Sequence, residues 1–336
     1  MIPLGYLLND RHRTSNLSKS MTHEEIRRIF FPHTDRRTKA VQDEQSRFVY
    51  YTSAETACKI ITNEEIWMRS TSTMNDYMEI EYGLQCLSEA YTAQPGQNFR
   101  KMLDSIYDGS SKGATDNFNS WMPGIRDDTY ITCVSEHQDH EDDNGRLSMW
   151  RAYGGNAGVA LVLNANAMFV QNPELGIFAS PVAYWTRMQI GDELQRISDL
   201  IELNRDLVKT LDRIDFEGMV FNMFRFAVLC TKHPGFAEEQ EWRVIASPRM
   251  HSSPVVEKSI QTVGGIPQEV LRLQFKDRPD IGVSELKLSH LLNQIIIGPC
   301  EHPDVIKRAF ESLLAQKGIS KGAIRIVSSN IPLRQR

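Results

Sequence analysis

The stretch Phe48-Val-Tyr-Tyr-Thr-Ser-Ala-Glu-Thr-Ala-Cys-Lys-Ile-Ile-Thr-Asn-Glu-Glu-Ile-Trp-Met-Arg-Ser70 decides the fold class. Its first five residues are β-branched or aromatic and read as a strand. Ser53 then caps a helix through about Asn63, because Ala54, Ala57, Ile60 and Ile61 share one helical face. A second strand follows over 66–71, and Met74-Asn75-Asp76 begins another helix that carries Glu79 and Glu81. Working outward, strands are expected at 130–135, 159–163, near 181–185, and at 241–246, 271–275 and 294–297. Helices are expected at 147–153, stopped by Gly154 and Gly155, at helical apolar spacing between 190 and 214, over the nearly all-apolar 216–229, and over 303–316. Residues 94–128, rich in Gly, Ser, Asn and Asp, read as an insertion. Helices and strands mix without a regular βαβ repeat, so the expectation is an α+β fold.

The 336 residues suggest about two domains by length. At 41% hydrophobic and 24% charged, the chain is neither disordered nor collagen-like. Five scattered cysteines, with no Cys-x-x-Cys, argue against a disulfide framework or zinc ribbon and for a reducing compartment. The apolar start is too short for a signal peptide and no apolar run spans a membrane, so a cytoplasmic protein without a membrane partner is expected. The net charge of −5 requires any nucleic-acid contact to use a local basic patch.

One such patch lies at the start. Residues 1–40 carry Arg11, Arg13, Lys19, Arg27, Arg28, Arg36, Arg37 and Lys39 against Asp10, Glu24, Glu25 and Asp35. Two readings stand: a solvated arm, over 1–47, with one short helix capped by Thr22 and Glu25, or a basic arm that touches phosphates.

Several familiar sites are excluded. Gly154-Gly-Asn-Ala-Gly158 follows a helix and precedes a strand, the wrong order for a dinucleotide fingerprint, and no Walker A, Gly-x-Ser-x-Gly or His-Glu-x-x-His occurs. His137-Gln-Asp-His140-Glu-Asp-Asp143 offers metal-ligand types but reads as a solvated acidic loop, so no metal is expected. More informative is Phe236-Ala-Glu-Glu-Gln-Glu-Trp-Arg243. In an extended backbone Glu239 and Glu241 point to the same side, and such a pair needs a cation, a substrate hydroxyl or a shared proton. An edge strand whose charges face water, neutralised by Arg243, is the other reading.

Tyr50-Tyr-Thr-Ser53, Asn75-Asp76, Cys133-Val-Ser135, Met149-Trp-Arg-Ala-Tyr153, Lys232-His233, Glu239-Gln-Glu-Trp-Arg243 and Ile297-Gly-Pro299 occur in an order that resembles a large bacterial family of unknown-function domains. That resemblance spans about 48–330 and implies one domain, 48–336, with a helical insertion near 186–232. The family in turn is similar, more distantly, to the ADP-ribosyltransferase fold, which implies a split mixed β-sheet and NAD as substrate. Members open with Tyr-His-x-Thr; here Tyr50 stands in the histidine's place and Thr52 in the threonine's. The likeness implies that Glu241 is catalytic, Glu239 orients or deprotonates the acceptor, and Ser70 belongs to a Ser-Thr-Ser element. Tyr50, Trp150 and Tyr153 are its candidates for stacking nicotinamide, and Arg69, Asn75 and Asp76 for holding phosphate or ribose. The implied activity is NAD-dependent ADP-ribosylation by a toxin or phage-defence effector, with nucleic acid (through the arm) or protein as acceptor and an antitoxin protein as partner. A catalytically silent nucleotide- or protein-binding module and a NAD glycohydrolase are the alternatives.

Overall fold

The computed structural model describes residues 18–73, 77–169, 175–281 and 283–332. The chain begins with α1 (Ser18–Phe30) and α2 (Pro32–Asp43), then β1 (Arg47–Ser53), α3 (Ala54–Asn63) and β2 (Glu65–Ser70). Three helices follow, α4 (Tyr77–Thr92), α5 (Gln94–Ile106) and α6 (Ser110–Asp127), before β3 (Tyr130–His137), α7 (Leu147–Tyr153) and β4 (Gly158–Leu163). After β5 (Ile177–Pro181) and β6 (Ala183–Tyr184) come α8 (Arg187–Leu203), α9 (Arg205–Val208) and α10 (Arg213–Leu229). The remainder is β7 (Thr231–Lys232), β8 (Glu241–Ala246), β9 (Val256–Val263), β10 (Ile266–Gln274), α11 (Leu288–Leu291), β11 (Leu292–Ile297), α12 (Pro303–Gln316) and β12 (Arg325–Ser328). The α+β expectation holds.

A ten-stranded sheet organises the molecule. Its ladders are antiparallel except for β11 against β12, so the sheet is mixed. Strand β3 is the branching point. Along one edge it pairs with β8 from Tyr130–Ala246 to Ser135–Glu241. On the other edge its first residues pair with β2 (Tyr130–Ser70, Ile131–Arg69) and its last with β1 (Ser135–Val49 to His137–Arg47). Strands β1 and β2 therefore leave one edge of β3 at different points, and the sheet forks between them. Strand β8 is flanked by β3 and β5, and all six of its residues are buried, so it is not an edge strand.

The local sequence explains the fork. Ser53 ends β1 and accepts the backbone N–H of Thr56 at 3.2 Å, which caps α3 as expected. Glu64 at the other end adopts the left-handed conformation and returns the chain into β2. Helices α3 and α12 cover one face of β1, β4 and β11 through Ile61, Ile60, Leu161, Ile295 and Phe310. A phenylalanine-rich helical layer covers the other face beside β3, β5 and β8, with Phe30, Phe99, Phe216 and Phe224 against Ile131, Phe178 and Ile245.

Three expectations change. Residues 94–128 are not an irregular insertion: they form the whole of α5 and α6, buried through Phe99, Leu103, Phe118 and Ile125. Helix α1 already runs at Ser18, so Thr22 lies inside it and not at its cap. The described part of the N-terminal segment is not a solvated arm, because Ile26, Ile29, Phe30 and Phe31 insert into the helical layer. Its cations are spent internally: Arg27, Arg28 and Lys39 on Asp35, Arg36 on Glu193, and Arg37 on Glu136. Residues 1–17, including Arg11 and Arg13, lie outside the described residues.

Candidate functional site

A 3-10 turn over Pro234–Glu239 delivers the chain to β8, and Gln240 between them is left-handed (φ 44°). Glu239 is thus outside the strand, and alternation along an extended backbone is not what brings it beside Glu241. The two carboxylates meet because the turn at Gln240 swings both onto one ammonium. Lys232 Nζ donates to Glu239 Oε2 at 2.6 Å and to Glu241 Oε2 at 2.8 Å, and sits 5.1 Å from the Phe236 ring centroid. Arg243 Nε donates to Glu241 Oε1 at 2.7 Å, while its Nη1 bonds the Leu229 carbonyl. The Tyr184 hydroxyl accepts the Glu241 backbone N–H at 2.8 Å.

The electrostatics separate the two acids. Burial pushes the Glu241 carboxyl up, but Arg243 and Lys232 outweigh it and hold it at about 2. Glu239 is shifted the other way: burial dominates and raises its carboxyl against the pull of Lys232. Glu241 is only 5% exposed, whereas the Glu239 side chain keeps 17%. The cation that a like-charge pair requires is therefore Lys232, a residue not picked out as part of the site from sequence.

Beside this cluster lies a polar cleft of about 520 Å³ lined by Glu238, Gln240, Arg146, Ser148, Arg151 and His140, among others. Arg146 builds its wall. Its guanidinium donates to the carbonyls of Glu238 (2.7 Å) and Glu239 (3.2 Å), to Gln240 Oε1 (2.9 Å) and to Glu141 (2.8 Å). The loop after β3 is solvated only in part: Asp139, His140 and Asp143 are exposed, whereas Glu141 is buried. His137 is fully buried with Nε2 2.9 Å from Asp142, and Arg47 binds Asp139 and Asp142 at 2.7 and 2.8 Å. These acids are consumed by cations, and among the described residues no group of His, Cys, Asp and Glu could hold a metal ion.

The other expected residues do not converge on Glu241. Register settles which face each occupies: Val49, Ser135 and Glu241 are direct partners and share a face, so Tyr50 and Thr52 point to the opposite one. Tyr50 packs there with the α3 and α12 core, and burial pushes its hydroxyl up to about 12. Trp150 is no stacking platform. It is 3% exposed, donates from Nε1 to the Asn144 carbonyl at 2.8 Å, and meets Tyr51 edge-on at 4.9 Å. A Cβ added at Gly145, Gly158 or Gly298 would stand 2.7, 3.1 or 2.8 Å from its ring. Tyr153, at the end of α7, is 46% exposed. Arg69, paired with Ile131, shares the Glu241 face, but its guanidinium is bound to Gln268 (3.1 Å) and the Thr73 carbonyl (2.6 Å). Ser70 Oγ lies 2.8 Å from Ser72 Oγ. Asn75 and Asp76 fall outside the described residues.

Residues 149–244, from α7 into β8, match the model of a family described as a protein of unknown function (DUF2971). The segment contains Trp150, Tyr153, Lys232, Glu239 and Glu241, whereas Tyr50, Asn75-Asp76, Cys133 and Gly298 lie outside it. No curated protein and no solved structure matches the chain. Among the described residues, no helix is long and apolar enough to cross a membrane.

Proposed function

We propose that the chain is a NAD-dependent ADP-ribosyltransferase in which Glu239, more than Glu241, is the reacting carboxylate. The observation that carries this reading is the convergence of Glu239 and Glu241 on Lys232 at the mouth of β8, where the flanking Glu238 and Gln240, though not the two carboxylates themselves, line a cleft of small-molecule size. In the reaction, the bond between ribose C1′ and the nicotinamide nitrogen breaks, and nicotinamide leaves with the electron pair. The positive charge that develops on the ribose is countered by carboxylate, as in glycoside cleavage. The acceptor nucleophile then bonds C1′ and loses its proton to a general base.

Glu239 suits the base because its carboxyl is raised and it retains exposure. Glu241 is a positioning residue, with Lys232 and Arg243 on its two oxygens. Arg151 and Ser148, which line the cleft, are the groups suited to the pyrophosphate. Bacterial toxin or phage-defence activity, with nucleic acid or protein as acceptor and an antitoxin partner, extends the same reading; the paired cations of α1 and α2 give nucleic acid no support.

One observation favours a second reading, a catalytically silent nucleotide-binding module: both Glu241 oxygens are engaged and the residue is 5% exposed. Labelled NAD incubated with bulk RNA, DNA or cell protein separates the two. Transfer by the wild type that falls about 100-fold or more in Glu239→Gln supports the transferase. Undiminished transfer in that variant removes the assignment. Saturable NAD binding without transfer or nicotinamide release establishes the silent module, and release without transfer a glycohydrolase.

A further inference from the structure

Under the α1–α2 junction the helical layer does not close completely. A cavity of about 80 Å³ lies there, walled by Phe30, Phe31, Trp185, Ile190, Met223 and Phe226 among others, and so bounded by α1, α8 and α10. One water needs roughly 10–15 Å³ of such space, so the room exceeds a single water several-fold. None of the lining residues is exposed, and only His33, Trp185, Glu193 and Ala227 are half-buried, which puts the mouth where α2 begins beside α8. Among the described residues the wall offers no unpaired charge. His33 is lowered to about 4, by burial first and then by Arg36 and Arg37, and Cys230 is pushed up to about 11 by burial, so both are neutral near pH 7. Glu193, at the mouth, lies 3.4 Å from Arg36 and 3.3 Å from Arg196.

We infer that this cavity is a binding site for an uncharged molecule with a single aromatic ring. Charge is excluded because an ion would lose its hydration without gaining a partner on this wall. A ring suits the space because Phe30, Phe31, Trp185 and Phe226 surround it, and aromatic rings favour edge-on or offset neighbours of their own kind. The wall already packs in this way, with Phe31 edge-on to Phe226 at 6.1 Å and His33 edge-on to Trp185 at 4.7 Å. Water is the competing occupant. Each molecule needs about two to four polar partners, for which the side chains of the wall offer chiefly the hydroxyls of Thr34, Ser180 and Thr231.

Thermal unfolding of the full chain in sealed vessels with millimolar toluene, benzoate or benzylammonium, at equal ionic strength, tests the site. The expected result is a Tm that rises by a few degrees with toluene and saturates, as linkage requires, and that responds to neither ion. Ala227→Leu, which fills the cavity from α10, should lose the toluene response. A crystal of the wild type pressurised with xenon supplies a test that needs no variant. A xenon peak between Phe31, Trp185 and Phe226 supports the inference. No saturable rise with toluene, an equal rise with benzoate or benzylammonium, an unchanged toluene response in Ala227→Leu, or ordered waters in place of xenon overturns it.

Discussion

Lys232 holds two carboxylates with one ammonium while 2% exposed, and Arg243 brings the local charge to balance. Replacing it by methionine keeps the length of the side chain but leaves Glu239 and Glu241 facing each other without their shared cation. Breaking a buried pair from one side costs about 3–5 kcal/mol, mostly as an uncompensated charge. Lys232→Met is therefore expected to lower the urea midpoint by that equivalent, and Lys232→Met combined with Glu239→Gln to recover part of it. A single variant as stable as wild type would show that the cluster is solvated. The acid pair was legible in the octapeptide 236–243, as was its need for a cation. The cation itself was not, because Lys232 sits in a two-residue strand that has no periodicity to announce it.

At the scale of elements, the strands that pack on two faces announced themselves, since 159–163 is a continuous apolar run, 48–51 an apolar and aromatic one, and 241–246 ends in Val-Ile-Ala after Trp242. Strand β9 did not, because it is an edge strand with polar residues on both faces. Helix α6 hid for a different reason. It carries Pro123, Gly113 and Gly124, which lower intrinsic propensity, and is held by packing of Phe118 and Ile125 against its neighbours. The marks Met149-Trp150 and Ile297-Gly298, far apart in sequence, turn out to be one packing unit: Gly298, just after β11, lies against the ring of Trp150 on α7. Gly298→Ala is expected to cost about 1–3 kcal/mol by overpacking, measured by denaturant unfolding. Because the obstacle is the six-membered part of the indole, Trp150→Phe should relieve the clash, making the double variant more stable than additivity predicts. Strict additivity would mean that the ring is free to move aside.

For the whole molecule, the charges of residues 27–39 are paired with acids of the same body as α1 and α2 close the helical layer. His33, at the α1–α2 junction, meets Trp185 edge-on at 4.7 Å. Burial, and then Arg36 and Arg37, lower it to about 4, and His251 falls to about 4 by burial and Arg225. Both values lie below the usual histidine range near 6.5. The unfolded chain thus takes up these protons first. The stabilisation from keeping both rings neutral is complete above about pH 6.5 and is lost as the pH falls toward about 4. Glu241, held at about 2, extends the loss below the usual carboxylate range, because protonating it severs the contacts with Lys232 and Arg243. Glu239 works in the opposite direction, since its raised carboxyl is relieved by a proton, and softens the decline. The urea midpoint is therefore expected to fall steadily between pH 6.5 and pH 4, and His33→Gln, which keeps a polar side chain but cannot take up a proton, should flatten the upper part of that fall. A midpoint constant across this window would mean that His33 and His251 titrate normally, and that the α1–α2 junction opens to water far more readily than its packing against Trp185 implies.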